Sequence, residues 1–380
     1  MREEPVTAVV TANDAFAADL YGVLTGDTRQ TVFSPVSVAA ALRMALCGAR
    51  GQTAAELGGA LHESPDTAAD GLRATSAAVH AVAADGSVTF RAPSIVWVQS
   101  GLPLRPEFTG QLGDAAAAAI ARVGFAEAPE AARAEINRVI AEQTAGKITG
   151  LLPAAAISDL TQLVLTSAIY LKAAWAERFA EAATRDAPFY PDGPDRPSLT
   201  VPMMHSTAAR AYRHGDRYQA VLLPYQGGQL AMAVVLPDGP LTTLRPAIAA
   251  DGLRGLLAGT SRYQVTLSLP RFRVEAAFDL IPVLRRLGVR EAFTREADFS
   301  GITEAERLLI NAVAHKAYVD VDEQGTEAAA ATAISFRPTA AFRAPPAVTM
   351  TVDRPFLFVI FHTPTGTPLF VGQVSQPGVR

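Results

Sequence analysis

Cysteine is almost absent from this chain of 380 residues: Cys47 stands alone, so no internal disulfide can form. That excludes a small scaffold braced by disulfides. Long apolar runs are also missing, and none approaches the roughly 20 residues that a membrane-spanning helix needs. The net charge of −4 lacks the basic excess of a nucleic-acid-binding surface. We therefore expect a soluble protein that binds neither nucleic acid nor membrane.

The first residues, MREEPVTAVVTANDAF, lack the charged-then-apolar order of a signal peptide and carry Glu3 and Glu4. The sequence leaves the compartment open. A chain without a visible leader fits a cytoplasmic protein, and secretion after removal of a leader fits as well. Richness in alanine and arginine favours a bacterial source.

Catalytic and metal-binding motifs are also missing. His62-Glu63 is followed by Ser-Pro-Asp, so the second histidine of a zinc-protease motif is absent, and no G-x-S-x-G nucleophile motif occurs. TAGKITG (144–150) resembles a phosphate-binding loop, but Ala141 and Ile148 occupy two of its essential positions. Cys47 lies in the apolar segment LRMALCGA, which favours a buried structural thiol. Because triads can form from distant residues, an enzyme is unsupported rather than refuted. We predict no enzyme, no metal and no cofactor.

The apolar pattern divides the chain into two regions. From residue 8 to 150 apolar residues recur at helical spacing, and Ser34-Pro35 and Gly48 are start and stop signals for one helix. From about residue 160 strand-like segments dominate, such as QLVLTSAIYL and QLAMAVVLP, with a helical insert at 279–288. No linker separates the regions. We predict an α+β fold, with a helix-rich N-terminal part packed on large mixed or antiparallel β-sheets in a single domain, 1–380.

The segment EQGTEAAAATAISF (323–336) fits two structures. Its four consecutive alanines are typical of a surface helix, which periodicity alone favours. As a strand, it has one uncharged face running from Thr326 to Phe336, while Glu327 and Arg337 lie on the other face. Such a strand can enter a sheet without burying a charge, which would be prohibitive without a partner.

A series of motifs runs along the chain in a fixed order. The longer ones are FSPVSVAAALRMALCGARGQTAAEL (33–57), LTSAIYLKAAWAERF (165–179), NAVAHKAYVDVDEQGTEAAAAT (311–332) and DRPFLFVIFHTPTGTPLFVGQV (353–374). Shorter ones, including LLPYQGG, LSLPRF and ADFSGIT, lie between them. In content and order they resemble the motifs of the serpins, the serine protease inhibitor family. The resemblance covers essentially the whole chain. It implies the serpin fold with an exposed reactive-centre loop at about 323–350.

The resemblance implies a suicide inhibitor with a metastable native fold. A serine protease would attack the loop and form a covalent acyl complex, and the cleaved loop would insert as a new strand into the main sheet. The family's hinge falls on Glu323, Gly325, Thr326, Glu327, Ala328, Ala329, Ala330, Ala331 and Thr332. Gly325 supplies backbone freedom, and the small residues after it can enter a sheet one after another. A non-inhibitory serpin, acting as a carrier or chaperone, is the alternative.

Two further groups carry over by position. The polar cluster beneath the sheet opening, called the shutter, falls on Ser34, Ser37, Ser167 and His315, and the breach at the top of the sheet on Trp175. The family usually has Asn at the position of Ser167 and Gly at that of Ala173. Because buried polar groups need partners, we expect a water or another side chain to compensate for Ser167.

The bait residue is harder to place. Family spacing indicates the bond between Thr339 and Ala340, whose small side chains suit elastase-like or subtilisin-like proteases. The loop is a few residues longer than in many relatives, so Arg343, followed by Ala344, and Phe342 are alternatives, directed at trypsin-like and chymotrypsin-like enzymes respectively. We rank Thr339 first, then Arg343, then Phe342.

The expected partners are few. The region ESPDTAADGLRATSAAVH, where some serpins carry a basic cluster, offers only Arg73, so no heparin-like activator is expected. We expect a monomer that polymerises on mild heating, when the loop of one molecule enters the sheet of another.

Overall fold

The fold is built from helices and two large sheets along residues 3–26, 30–84, 86–115, 120–326 and 346–378, which the computed structural model describes. The helices are α1 (Glu3–Leu24), α2 (Pro35–Gly48), α3 (Gly51–Ala60), α4 (Ala68–Ala84), α5 (Pro106–Ala115), α6 (Pro129–Gln143), α7 (Arg245–Gly255) and α8 (Ile281–Arg286). The helix-rich N-terminal part and the strand-rich remainder confirm the predicted α+β class.

Helix α2 begins and ends where the sequence signals predict. The Ser34 side chain accepts a hydrogen bond from the Ser37 N–H, and Pro35 occupies the first turn, where its missing N–H is harmless. The helix ends at Gly48, and a Cβ added there would lie only 2.1 Å from Ile302 Cγ1. Close packing at the helix end therefore requires glycine.

The strands follow one another from the N-terminal region to the end of the chain. They are β1 (Thr31–Phe33), β2 (Val88–Arg91), β3 (Ser94–Gln99), β4 (Ile120–Val123), β5 (Leu163–Ala174), β6 (Arg185–Phe189), β7 (Leu199–Gly215), β8 (Tyr218–Pro224), β9 (Leu230–Pro237), β10 (Ser261–Pro270), β11 (Phe272–Asp279), β12 (Ile310–Val321), β13 (Gly325–Thr326), β14 (Ala347–Thr351), β15 (Phe356–His362) and β16 (Thr367–Val374).

The described strands form two sheets. One has nine strands, in the order β1-β16-β15-β9-β8-β7-β10-β14, with β6 paired to β7. The other has seven, in the order β11-β12-β13-β5-β3-β4, with β2 paired to β5 and β12 also paired directly to β5. Both sheets are mixed, because β10–β14, β12–β5 and β3–β4 are parallel pairs.

Strand β5 lies at the centre of the seven-stranded sheet and is buried along nearly its whole length. Leu163 and Leu165 pack in a core cluster with α2, while Val164 and Ala168 pack in a second cluster with α6. Because helices cover both faces, the strand is a continuous apolar run, which explains why it was recognisable in the sequence.

Two details differ from the sequence pattern. The N-terminal part also supplies β1 to β4, which are three to six residues long and too short to show a period of two. The helical insert predicted at 279–288 is shorter, since α8 covers Ile281–Arg286 and Asp279 still belongs to β11.

Candidate functional site

The candidate site is centred on a seam in the seven-stranded sheet. There residues Ile310–Tyr318 of β12 pair in parallel with residues Leu163–Tyr170 of β5. His315 lies opposite Ser167 in this register. Two parallel strands that pair directly can separate and accept one strand antiparallel to both, with every backbone group paired again.

Strand β13 lies at one end of this seam, between the same two strands. Thr326 pairs antiparallel with Val321 of β12 and with Ala173 of β5, and Gly325 pairs with Ala174. Two residues of the predicted hinge, Gly325 and Thr326, are therefore already in the sheet, antiparallel to both strands. Both are buried.

Gly325 is required by its surroundings. A Cβ added there would lie 2.0 Å from the Ala173 carbonyl oxygen and 2.7 Å from Ala174 Cα, with φ at +156°. Both neighbours are backbone atoms, which a side-chain rotation cannot move. The position beside β5 therefore admits only glycine without displacement of the hinge.

Thr326 is hydrogen-bonded to Tyr225, which stacks on Trp175. The Tyr225 hydroxyl and Thr326 Oγ1 lie 2.6 Å apart, and both residues are fully buried. Tyr225 in turn stacks on Trp175, with ring centroids 4.5 Å apart and planes 16° from parallel. Burial strongly raises the pKa of Tyr225, so the hydroxyl stays protonated and can donate.

Trp175, assigned to the breach by resemblance, binds the turn that precedes the hinge. Its indole Nε1–H donates to the Asp322 carbonyl at 2.9 Å, and its backbone N–H donates to the Gln324 carbonyl at 2.9 Å. The Asp322 carboxylate accepts from the backbone N–H groups of Gln324 and Gly325, at 2.8 and 3.2 Å. The turn is thus fixed on both sides before the chain enters the seam.

Glu323 is an ionisable residue with only 2% of its surface exposed. Its carboxylate accepts from Arg271 Nε at 2.8 Å and from the Thr184 hydroxyl. Burial disfavours the charged form, but hydrogen bonds from Arg271 and Thr184 outweigh it and lower the pKa of Glu323. The charge is therefore paired, and it ties the hinge to the start of β11 and to the segment before β6.

The second cluster is a row of residues across the seven-stranded sheet, below β13. Phe278, His315, Ser167 and Ser94 lie side by side on β11, β12, β5 and β3. The His315 ring stacks parallel to Phe278, with centroids 6.3 Å apart. Since Ser167 and His315 sit on opposite sides of the seam, any bond between them spans it.

His315 makes that bond. The Ser34 backbone N–H donates to Nε2 at 2.9 Å, so the ring proton is on Nδ1, which donates to Ser167 Oγ at 2.7 Å. Complete burial lowers the pKa of His315 to about 4. The ring is therefore neutral at pH 7, and Ser167 has the side-chain partner that its burial requires.

Ser34 and Ser37 join this row to helix α2. Their hydroxyls lie 3.1 Å apart, and the Ser94 hydroxyl donates to the Ser37 carbonyl at 3.1 Å. The structure thus brings Ser34, Ser37, Ser167 and His315 together in one buried network, and its role as the shutter stays a prediction. Ser94 is a further member that sequence reasoning missed.

Much of the predicted loop lies outside the described residues. This holds for the hinge residues Glu327, Ala328, Ala329, Ala330, Ala331 and Thr332 and for the bait candidates Thr339, Ala340, Phe342, Arg343 and Ala344. Sequence reasoning also missed Thr184, Tyr225 and Arg271, which reach the hinge from elsewhere in the chain. No local pattern marks them, because their role depends on long-range contacts.

The remaining chemistry of the described residues is sparse. In those ranges no cluster of three or more His, Cys, Asp and Glu side chains could hold a metal ion, and no helix is long and apolar enough to cross a membrane. Cys47 is a buried thiol in α2, as predicted, and burial raises its pKa to about 11.

Comparison with known proteins agrees with this geometry. A family model described as Serpin (serine protease inhibitor) matches residues 11–377. A serpin-like protein of Thermococcus kodakarensis is 37% identical, with 99% of this chain and 88% of that protein covered. Leukocyte elastase inhibitor of Bos taurus is 36% identical, with 96% and 98% covered. The crystal structure of maspin superposes with a TM-score of 0.88 at 26% identity, covering 99% of this chain and all of maspin.

Proposed function

The chain belongs to the serpin family and has the serpin fold, and we propose that it is a suicide inhibitor of serine proteases. One observation carries the proposal: β12 and β5 pair directly in parallel, while Gly325–Thr326 lies between them at one end, antiparallel to both. Separation of β12 from β5 would make room for one more strand, and that strand would continue from Gly325–Thr326.

The inhibitory reaction starts as ordinary proteolysis. The serine hydroxyl of the protease attacks the carbonyl of the bait residue and forms an ester, and the peptide bond breaks to free a new amino terminus. The C-terminal product stays attached through β14, which pairs with β10. The N-terminal part of the loop, still esterified to the protease, then continues β13 down the seam.

An extrapolation of the β13 register supports a limit for the inserted strand. Continued one residue at a time, Phe336 would come opposite Leu163 on β5 and Arg337 opposite Ile310 on β12, at the ends of both strands. A bait residue at Thr339 would follow directly after the filled seam. The acyl-linked protease would then be drawn to the far end of the sheet, which favours the Thr339–Ala340 bond over Arg343 and Phe342.

The target class follows from that bond. A threonine bait suits the shallow first pocket of elastase-like or subtilisin-like proteases, and several relatives of this chain are named leukocyte elastase inhibitors. Arg343 would redirect the inhibitor to trypsin-like enzymes and Phe342 to chymotrypsin-like ones. A non-inhibitory serpin is the second candidate function, and it predicts cleavage without a trapped enzyme.

Incubation with elastase, subtilisin, chymotrypsin and trypsin, followed by denaturing gel and intact mass, tests the proposal. We expect elastase or subtilisin to give a complex that survives denaturation and a released peptide that begins at Ala340. A peptide that begins at Ala344 would identify Arg343 as the bait residue, and one that begins at Arg343 would identify Phe342. Clean cleavage without a complex by all four enzymes would favour the non-inhibitory alternative.

A further inference from the structure

A buried arginine joins three helices in the N-terminal part of the chain. Arg43, on α2, is fully buried, and its Nε–H and Nη2–H groups donate to the Glu63 carboxylate at 3.0 and 2.9 Å. Nη1 donates to the Thr75 hydroxyl on α4, and Nη2 to Asn13 Oδ1 on α1, both at 2.9 Å. The Glu63 side chain, between α3 and α4, is only 6% exposed. We call Asn13, Arg43, Glu63 and Thr75 the clamp, and the proposed trapping reaction does not involve it directly.

The clamp fixes the position of α4 relative to α1 and α2. Apolar residues of similar volume often stabilise a fold as well as a buried ion pair does, so overall stability alone does not account for it. Its hydrogen bonds are directional and are lost when the partners separate. Helix α4 also approaches the guanidinium closely, since a Cβ added at Gly71 would lie 2.7 Å from Arg43 Nε. Movement of α4 away from α2 therefore breaks the clamp.

Helix α4 is attached to the strands on the β5 side of the seam. β2 begins at Val88, shortly after the helix ends, and it pairs with β5 on the side opposite β13. Val82 of α4 packs in one cluster with Phe90 of β2 and Leu171 of β5. If β5 separates from β12, we expect β2 and α4 to move with β5.

Helices α1 and α2 are attached to the part of the molecule on the other side of the seam. α2 begins directly after β1, which pairs with β16 in the nine-stranded sheet, and the Tyr21 hydroxyl of α1 donates to Gln373 Oε1 on β16 at 3.3 Å. The Ser34 N–H at the start of α2 donates to His315 on β12. One inserted strand displaces β5 from β12 by about 4.8 Å. The clamp therefore spans the two parts that this displacement moves apart.

Apolar contact between α2 and α4 is interrupted beside the clamp. A cavity of about 220 Å³ lies there, with Ala40 and Met44 of α2 and Thr75 and Val79 of α4 in its wall. Side chains that face a cavity lose part of their dispersion contacts. Polar bonds such as those of the clamp therefore carry a larger share of the attraction between the two helices.

We propose that the clamp restrains opening of the seam, so that an uncleaved loop enters the sheet slowly and the protein keeps its capacity to trap proteases. The clamp must break before β5 and α4 can move, so it raises the barrier to opening and increases the kinetic stability of the native state. This regulation rests on the proposed inhibition, but opening of the seam can be measured without a protease.

Hydrogen exchange followed by mass spectrometry measures that opening. Thr75→Val removes the acceptor of Arg43 Nη1 and keeps the shape of the side chain. We expect the amides of β12 and β5 to exchange about tenfold faster, the effect of losing one hydrogen bond to a charged group, while those of β15 and β16 keep their rates. Thr75→Ser retains a hydroxyl and should restore the rates of the unchanged protein.

Thr53→Val is the matched control. Thr53 is buried in α3, and its hydroxyl accepts from the Asp298 N–H at 2.9 Å, so this variant also loses one buried acceptor but leaves the clamp intact. It should leave exchange in β12 and β5 unchanged. Equal acceleration by Thr53→Val and Thr75→Val, equal acceleration of β15 and β16, or no acceleration at the seam would overturn the proposal.

A second variant removes the ion pair without leaving a lone buried charge. Arg43→Met combined with Glu63→Gln should show the same selective acceleration, and on standing it should lose the capacity to trap elastase about tenfold faster than the unchanged protein does. If the seam opens faster but the trapping capacity lasts equally long, the clamp does not guard the loop and the proposal is wrong. Failure of the unchanged protein to trap any protease would contradict the proposed inhibition, whereas the exchange rates would still decide the role of the clamp in opening.

Discussion

The Tyr225 hydroxyl lies 2.6 Å from Thr326 Oγ1, in the buried space where β13 enters the seam between β12 and β5. The two residues are separated by 101 positions in the sequence. This contact holds Thr326, the second of the two hinge residues that lie in the sheet, and single substitutions can test it.

If the proposed inhibition is right, Thr326→Arg should turn the protein into a substrate that proteases cleave without being trapped. Thr326 is fully buried between β12 and β5, and an unpaired arginine there costs several kcal/mol. The hinge would leave the seam, and the yield of denaturation-resistant complex should fall by at least about tenfold, since 1.4 kcal/mol already corresponds to that factor.

Thr326→Ser is the matched control, because it keeps a hydroxyl for Tyr225 and a small side chain. It should form complexes at close to the normal yield, as judged on the same denaturing gel. If Thr326→Arg trapped the protease as well as the unchanged protein does, insertion through this end of the seam would be wrong.

Tyr225→Phe should loosen the hinge without disturbing its aromatic support. The substitution removes the hydroxyl that bonds Thr326 and keeps the ring that stacks on Trp175. Loss of one buried hydrogen bond is worth about 1 kcal/mol, so the Gly325 and Thr326 amides should exchange hydrogen about fivefold faster. Hydrogen exchange followed by mass spectrometry measures this. Tyr263→Phe, on β10, is the control, and equal acceleration in both variants would mean that the effect is not local.

Gly325→Ala should expel β13 from the sheet. The new Cβ would lie 2.0 Å from the Ala173 carbonyl oxygen, so the hinge must move away from β5. We expect faster proteolysis near residue 325 and a lower yield of protease complex. Gly59→Ala, in α3, is the control, because a Cβ there meets nothing within 4 Å and alanine favours the helix. Normal complex formation by Gly325→Ala would show that this contact does not restrict insertion.

The pH dependence of stability should carry the signature of His315. Burial lowers the pKa of His315 to about 4 in the folded protein, whereas a histidine in the unfolded chain has a pKa of about 6.5. Between these pH values the unfolded chain is therefore protonated at His315 and the folded chain is not. Stability should therefore fall as the pH drops from about 6.5 to about 4, and the whole difference is worth about 3 kcal/mol. Above pH 6.5 this contribution is constant.

Comparison with His315→Gln isolates that effect. Glutamine can still donate across the seam but does not titrate, so the variant should lose less stability between pH 6.5 and pH 4 than the unchanged protein. Urea midpoints at several pH values measure the difference. Parallel curves for the two proteins would mean that His315 does not titrate in this window.

The sequence predicts local features well and contacts between distant segments poorly. Ser34-Pro35 starts α2 because capping and proline act within one turn. The alternation from Thr326 to Phe336 is also a local feature, but residues 327–336 lie outside the described residues, so it stays a prediction. Tyr225 and Arg271 could not be identified in this way, since their neighbours in sequence say nothing about Thr326 or Glu323. Only the folded sheet brings these pairs together.

The shutter illustrates an intermediate case. Resemblance supplies the positions of Ser34, Ser37, Ser167 and His315, but it does not supply their bonds. Because the family usually has asparagine at the position of Ser167, the resemblance does not say what the serine hydroxyl bonds. In the structure its partner is His315 Nδ1. The Ser34 N–H donates to Nε2 of His315, so the ring proton must be on Nδ1. This contact joins residues 281 positions apart.

A separate peptide that occupies the seam should block insertion of the chain's own loop. A synthetic peptide with the sequence EAAAATAISF, residues 327–336, matches the part of β12 and β5 beyond β13 when the register of β13 is continued. Added in excess, it should anneal between β12 and β5, because both strands regain their backbone bonds and the inward face of the peptide is uncharged. Annealed protein should no longer trap proteases.

The same peptide should prevent polymerisation on mild heating. If heated molecules join when the loop of one enters the seam of another, an occupied seam has no room for a second loop. Light scattering during heating should then stay at the monomer level with the peptide and rise without it. A peptide with arginine in place of its first alanine, Ala328, is the control and should protect poorly, since it brings a charge to the uncharged inward face of the strand. Polymers that form equally fast with the annealed peptide would mean that the molecules associate through a different surface.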